Sequence, residues 1–85
     1  MNVRIPTPLR SYTDQVANVE GVGTTLDEVL LDLDRRFPGL RFRVVDEQDR
    51  IRKHMRIFIN NEMADLSAPV LSTDEVTLMQ ALSGG

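Results

Sequence analysis

The chain has 85 residues, 41% hydrophobic and 27% charged, which describes one small globular domain with a single core. It contains no cysteine, which excludes a disulfide framework, a thiolate metal site and a cysteine nucleophile. No apolar run nears the ~20 residues that span a bilayer, and the net charge of -3 speaks against nucleic acid, whose phosphates need a positive excess.

Met1 to Pro6 has no secretory core, so a cytoplasmic protein that engages no membrane is expected. The charge is uneven along the chain. Arg41, Arg43, Arg50, Arg52, Lys53 and Arg56 gather around Asp46, Glu47 and Asp49, whereas Ile57 to Gly85 contains no Lys or Arg. The basic stretch reads as a solvated face. The acidic C-terminal third would suit a partner with a basic docking surface.

In chain order, Val3-Arg4-Ile5-Pro6-Thr7 alternates like a strand with Val3 and Ile5 inward. Pro6 and Pro8 then mark an edge or a strand end. Gln15 to Val22 forms a second, weaker strand, its inward parity open, closed by Gly21 and Gly23. Thr25 and Glu28 have capping-box spacing: the Thr hydroxyl accepts from the N3 amide and the Glu reaches back to the cap amide. Leu26, Val29, Leu30, Leu33 and Phe37 then form one apolar helical face that Pro38-Gly39 ends. Asp27 and Glu28 at its start and Arg35 and Arg36 at its end complement the helix dipole.

Leu40, Phe42 and Val44 alternate like a strand, yet Leu40 and Val44 also share a helical face, so this segment stays open. Asp46 to Asp49 is a polar turn in either case. Met55 to Ile59 is a strand with Met55, Ile57 and Ile59 on one face and Phe58 on the other. Asn60-Asn61 suits a left-handed tight turn, and Leu66 and Leu71 anchor the loop around Pro69. The last strand, Glu75 to Ala81, turns Val76 and Leu78 inward. A hairpin, a crossover helix and further strands predict an α+β fold of β-grasp type, a mixed sheet with one main helix across one face. Residues 1–82 form the domain and 83–85 a flexible tail.

Catalytic chemistry is scarce. His54, the single histidine, has no partner motif and reads as structural or solvated. Asp32 and Asp34, two apart on a helix, point to different faces. Gly21-Val22-Gly23 lacks the remainder of a phosphate-binding loop. No metal site and no catalytic residue is expected. What remains is Gly84-Gly85. Taken alone, the pair reads first as a loose terminus. Yet two residues without Cβ atoms can thread a narrow channel, and Gly85 would present an α-carboxylate with nothing beside its carbonyl carbon.

A final strand running into Gly-Gly on this element order resembles the MoaD/ThiS family of ubiquitin-like sulfur carriers. The resemblance rests on Val3-Arg4-Ile5-Pro6-Thr7 with Leu9-Arg10, Thr25-Leu26, Ile57-Phe58-Ile59-Asn60, Leu71, Asp74-Glu75-Val76-Thr77-Leu78 and Gly84-Gly85. The Ile5-Pro6-Thr7 and Asp74 to Leu78 segments are most similar to the CysO branch, which donates sulfur for cysteine synthesis. Thr73 stands where many members have glycine, and Met79-Gln80-Ala81 where many have a proline.

The resemblance implies a carrier, not an enzyme, with no bound cofactor. An adenylyltransferase resembling ubiquitin-activating enzymes, using ATP and Mg, would adenylate the Gly85 carboxylate. A sulfur donor would then leave a thiocarboxylate there, with Ser83 and Gly84 threading the tail into partners. A sulfur-accepting client would come next, either a cysteine synthase-like enzyme or the large subunit of molybdopterin synthase. The other readings are the small MoaD-like subunit of that synthase, sulfur supply for thiamin or a secondary metabolite, a ubiquitin-like protein modifier, and a non-covalent interaction domain. Strand parity places Phe58, Met79 and Ala81, with Leu82 just beyond, at a candidate partner interface on a monomer.

Overall fold

The computed structural model describes residues 1–81. Strand β1 (Asn2–Arg4) pairs antiparallel with β2 (Asn18–Glu20), and a 3₁₀ helix at Thr7–Thr13 fills the connection between them. Helix α1 (Leu26–Arg36) and the short α2 (Leu40–Val44) come next. Strands β3 (Met55–Ile59), β4 (Glu62–Met63) and β5 (Glu75–Gln80) complete a mixed sheet of order β2-β1-β5-β3-β4. Among the described residues only β1 and β5 run parallel. This is the expected β-grasp arrangement.

One face of the sheet meets α1. Val3 from β1, Ile57 from β3 and Val76 and Leu78 from β5 are buried with Leu26, Val29, Leu30 and Leu33 of the helix. Each such side chain contributes about 1.5–3 kcal/mol relative to exposure, so the helix stripe anchors the domain. The Thr25 hydroxyl accepts from Glu28 N at 3.2 Å, as the capping spacing predicts. The reciprocal half differs: Glu28 Oε1 accepts from Thr24 N at 2.7 Å and Thr24 Oγ1 at 2.6 Å, one residue before the cap.

Pro6 marks a strand end and not a sheet edge, because β1 lies between β2 and β5. The 3₁₀ helix after it has no counterpart in the sequence reading. It buries Leu9 and Thr13, and the Thr13 hydroxyl donates to Val16 O at 2.8 Å. The second strand is shorter than expected: Val16 and Val22 are exposed, and Val19, opposite Val3, packs on the core. Gly21 and Gly23 serve helix packing more than turning. A Cβ on Gly23 would lie 2.8 Å from Val29 N, and one on Gly21 would lie 2.8 Å from Val29 Cγ1.

The open segment resolves as helix. Leu40 and Val44 are buried on one face, Phe42 is exposed, and Gly39 at φ +96 makes the entry. Arg41 ties this helix back to α1 through Asp27, at 2.6 Å. Asn60 and Asn61, at φ 49 and 73, form the left-handed turn between β3 and β4 that their residue type predicts.

Candidate functional site

Alternation along β5 decides what the uncovered side of the sheet presents. With Val76 and Leu78 in the core, Thr77 and Met79 face away from α1. The ladder sets Phe58 opposite Thr77 and Arg56 opposite Met79, places Met63 opposite Phe58, and puts Arg4 beside Thr77. The open face is therefore an apolar band of Phe58, Met63 and Met79 with Arg4 and Arg56 at its margins.

Phe58 points to the expected side and is partly covered by its neighbouring strands. Flanked by strands on both sides, it is half-buried, while Met79 and Met63 are 46% and 66% exposed. Ala81 continues the same parity, and its N–H donates to His54 O at 2.7 Å. Sheet pairing thus directs the chain up to its last described residue. Leu82, Ser83, Gly84 and Gly85 lie outside the described residues.

An open depression of about 670 Å³ lies where β5 ends, lined by Arg4, Pro6, Arg10, His54, Met79 and Ala81 among others. A neighbouring one of about 340 Å³ adds Phe42, Arg43 and Arg52. The sequence reading placed Met79 and Ala81 at an interface and Arg43 and Arg52 in a basic stretch, but it missed Arg4, Arg10 and Phe42 and did not bring the two groups together. Arg4 and Arg10 lie more than forty residues from Arg52 in sequence, and the pairing of both β1 and β3 with β5 brings the two segments to one end of the sheet.

The carboxylates have structural work. Asp32 is held below the ordinary carboxylate range chiefly by Arg36, with further help from Val22 N and Arg35. Asp34 accepts from Gly39 N and Arg41 N at the α1–α2 junction. Asp74 is lowered first by Leu71 N, donating at 2.8 Å, and then by the Asn60 amide, also at 2.8 Å. Asn60 Oδ1 in turn accepts from Glu75 N at 2.9 Å, locking the start of β5 to the β3–β4 turn. Thr73 does not have a positive φ, so the backbone requires no glycine there. Among the described residues no group of three or more His, Asp or Glu side chains is placed to hold a metal, and no helix is long and apolar enough to cross a membrane.

Fold and site together define a ubiquitin-like β-grasp domain whose last strand ends beside an apolar and basic face. The model of the ThiS family matches residues 3–85, and the chain belongs to that family. The sulfur carrier protein CysO of Mycobacterium tuberculosis (strain ATCC 25618 / H37Rv) is 30% identical over 91 residues, covering 100% of this chain and 98% of the relative. Among solved structures, the Amycolatopsis orientalis BexX/CysO complex matches with a TM-score of 0.91 at 32% identity, covering 99% of this chain and 98% of that one. Mycobacterium tuberculosis CysO matches at 0.90 and 29%, covering 95% and 98% respectively. The small archaeal modifier protein 1 of Haloferax volcanii matches at 0.78 and 25%, covering 100% and 98%.

Proposed function

We propose that this chain is a sulfur carrier that acts through a thiocarboxylate at Gly85 and serves cysteine biosynthesis. The observation that carries the reading is the continuous hydrogen-bonded course of β5 to Ala81, four residues before Gly85, in a chain similar along its length to CysO. A β-strand fixed on the core aims the residues after it in one direction, and two glycines let that segment enter a channel too narrow for side chains.

The chemistry then has two steps. The Gly85 carboxylate attacks the α-phosphorus of ATP, held with Mg by an adenylyltransferase, and pyrophosphate leaves. A sulfide nucleophile attacks the acyl carbon, AMP departs with the electron pair of the broken C–O bond, and a thiocarboxylate remains. Its sulfur is a far better nucleophile than a carboxylate oxygen, and a cysteine synthase-like client would accept it. The carrier contributes the reacting carboxylate, its direction and a docking face. It works as a monomer in the cytoplasm, because a free tail is all that either partner must reach.

Two other outcomes are separable. A MoaD-like subunit would co-purify with the large subunit of molybdopterin synthase. A modifier, the reading favoured by similarity to a small archaeal modifier protein, would give conjugates that survive reduction. The direct test is ATP–pyrophosphate exchange by the organism's adenylyltransferase, with the charged protein then added to the cysteine synthase-like enzyme. Exchange that requires Gly84 and Gly85, with cysteine formed, is the expected result. Exchange that persists when both glycines are deleted contradicts the reading.

A further inference from the structure

The cations of this acidic chain divide into two groups. Arg35 and Arg36 pair with Asp32, Arg41 with Asp27 and Asp49, and Arg50 with Asp46. The others, Arg4, Arg10, Arg43, Arg52, Lys53 and Arg56, form no ion pair among the described residues, although Arg52 lies near enough to Asp46 to help hold that carboxyl low. Four of these six line the two depressions at the end of β5, which adjoin through shared Pro8, His54 and Gln80, and no Asp or Glu lines either one.

Two of the four are held in place by backbone carbonyls. Arg10 Nε donates to Ile5 O at 3.0 Å and Arg52 Nε to Phe42 O at 2.7 Å, which orients each guanidinium without neutralising it. Arg52 also stacks over Phe42, its Cζ 4.5 Å from the ring centroid, and Phe42 is 52% exposed. Gathering like charges opposes folding by Coulomb repulsion. The sequence holds 13 Asp and Glu residues, yet the fold places none of them in this collar. The missing negative charge is one that a partner would bring.

Reach narrows the partner. Four residues beyond Ala81 span at most ~13–14 Å when extended. With Gly85 at a nucleotide and the tail extended, the collar would stand up to that far back, at the mouth of the channel. We propose that the collar of Arg4, Arg10, Arg43 and Arg52 docks on an acidic protein rim around the tail-accepting channel of the adenylyltransferase, with Phe42 as its apolar anchor. This rests on the sulfur-carrier reading above and names the chemistry of its first partner. The surface adjoins the Phe58 band, with Arg4 and Met79 common to both, and it replaces the expectation that the basic stretch is only a solvated face.

The test uses the full chain and the adenylyltransferase of the same organism, with pyrophosphate release measured against carrier concentration. Arg4 and Arg43 are exposed and make no side-chain hydrogen bond among the described residues, so R4E/R43E retains the fold, which circular dichroism verifies. The wild-type KM for the carrier is expected to rise about tenfold between about 50 and about 300 mM KCl, as contacts between exposed charges are screened. R4E/R43E is expected to show an elevated KM already at low salt, little further salt dependence, and kcat within about twofold of wild type. A variant with wild-type KM and wild-type salt dependence overturns the proposal. So does loss of labelled oligodeoxythymidine binding in the variant without any change in adenylation, which would assign the collar to nucleic acid. If wild type itself releases no pyrophosphate, the sulfur-carrier reading fails and the docking proposal with it.

Discussion

Asp74 shows how a residue that looks like part of a functional signature can work inside the fold. It stands in the Asp74 to Leu78 run on which the resemblance to sulfur carriers partly rests, and its carboxylate clamps Leu71 N and the Asn60 amide ahead of β5. Those donors lower its pKa in the folded state, so the ionised form is the stabilising one. The contribution is full above the unfolded value of ~3.9 and is lost as pH falls through the lower folded value. Asp74→Asn should therefore lower the urea midpoint at pH 7, and the gap from wild type should narrow below pH ~4. A gap that stays constant with pH would contradict this role. Phe58 belongs to the same scale. Its ring is recessed between β4 and β5, so Phe58→Ala should keep the fold while lowering kcat/KM for charging about tenfold, the equivalent of ~1.4 kcal/mol at an interface anchor. A variant charged at the wild-type rate would remove Phe58 from the docking face. The side of the sheet that Phe58 occupies was legible from strand alternation. Its recession was not, because β4 is two residues long and leaves almost no pattern in the sequence.

At the scale of elements, legibility tracks redundancy. Helix α1 carries a cap, an apolar stripe, dipole-matched charges and a terminating Pro-Gly, all of which agree, and its bounds were read closely. Helix α2 has only Leu40 and Val44, a spacing that satisfies strand and helix alike, and burial of both with exposure of Phe42 decides for helix. The 3₁₀ helix went unread because Pro6 and Pro8 announce the end of a strand but leave the conformation of the next residues undetermined. The energetic weight also lies with α1. Leu30→Ala, at a fully buried position, should cost about 2–5 kcal/mol. That is a large part of the ~5–15 kcal/mol available to a domain. Leu31→Ala, 44% exposed on the same helix, should fall within about 0.5 kcal/mol of wild type. Urea unfolding of the pair checks the orientation of the helix, and equal losses would contradict it.

For the whole molecule, element order was enough to give the β-grasp topology, since a hairpin and then a crossover helix leave few ways to close a mixed sheet. The collar at the end of β5 could not be read that way. Its arginines come from β1, the 3₁₀ helix, α2 and the segment before β3, and the pairing of β1 and β3 on either side of β5 makes them neighbours. Chain order also left the basic stretch undivided, whereas the structure separates ion-paired Arg41 and Arg50 from Arg43 and Arg52, which form no ion pair among the described residues. The central claim is that this molecule carries sulfur on its last residue. Intact mass spectrometry of the protein, co-expressed with its adenylyltransferase and a sulfide source, tests that claim most directly. The account predicts a shift equal to replacing one oxygen by sulfur, absent when Gly85 is deleted. An unshifted mass while AMP release from ATP is demonstrated, or a shift that survives loss of Gly85, would contradict it.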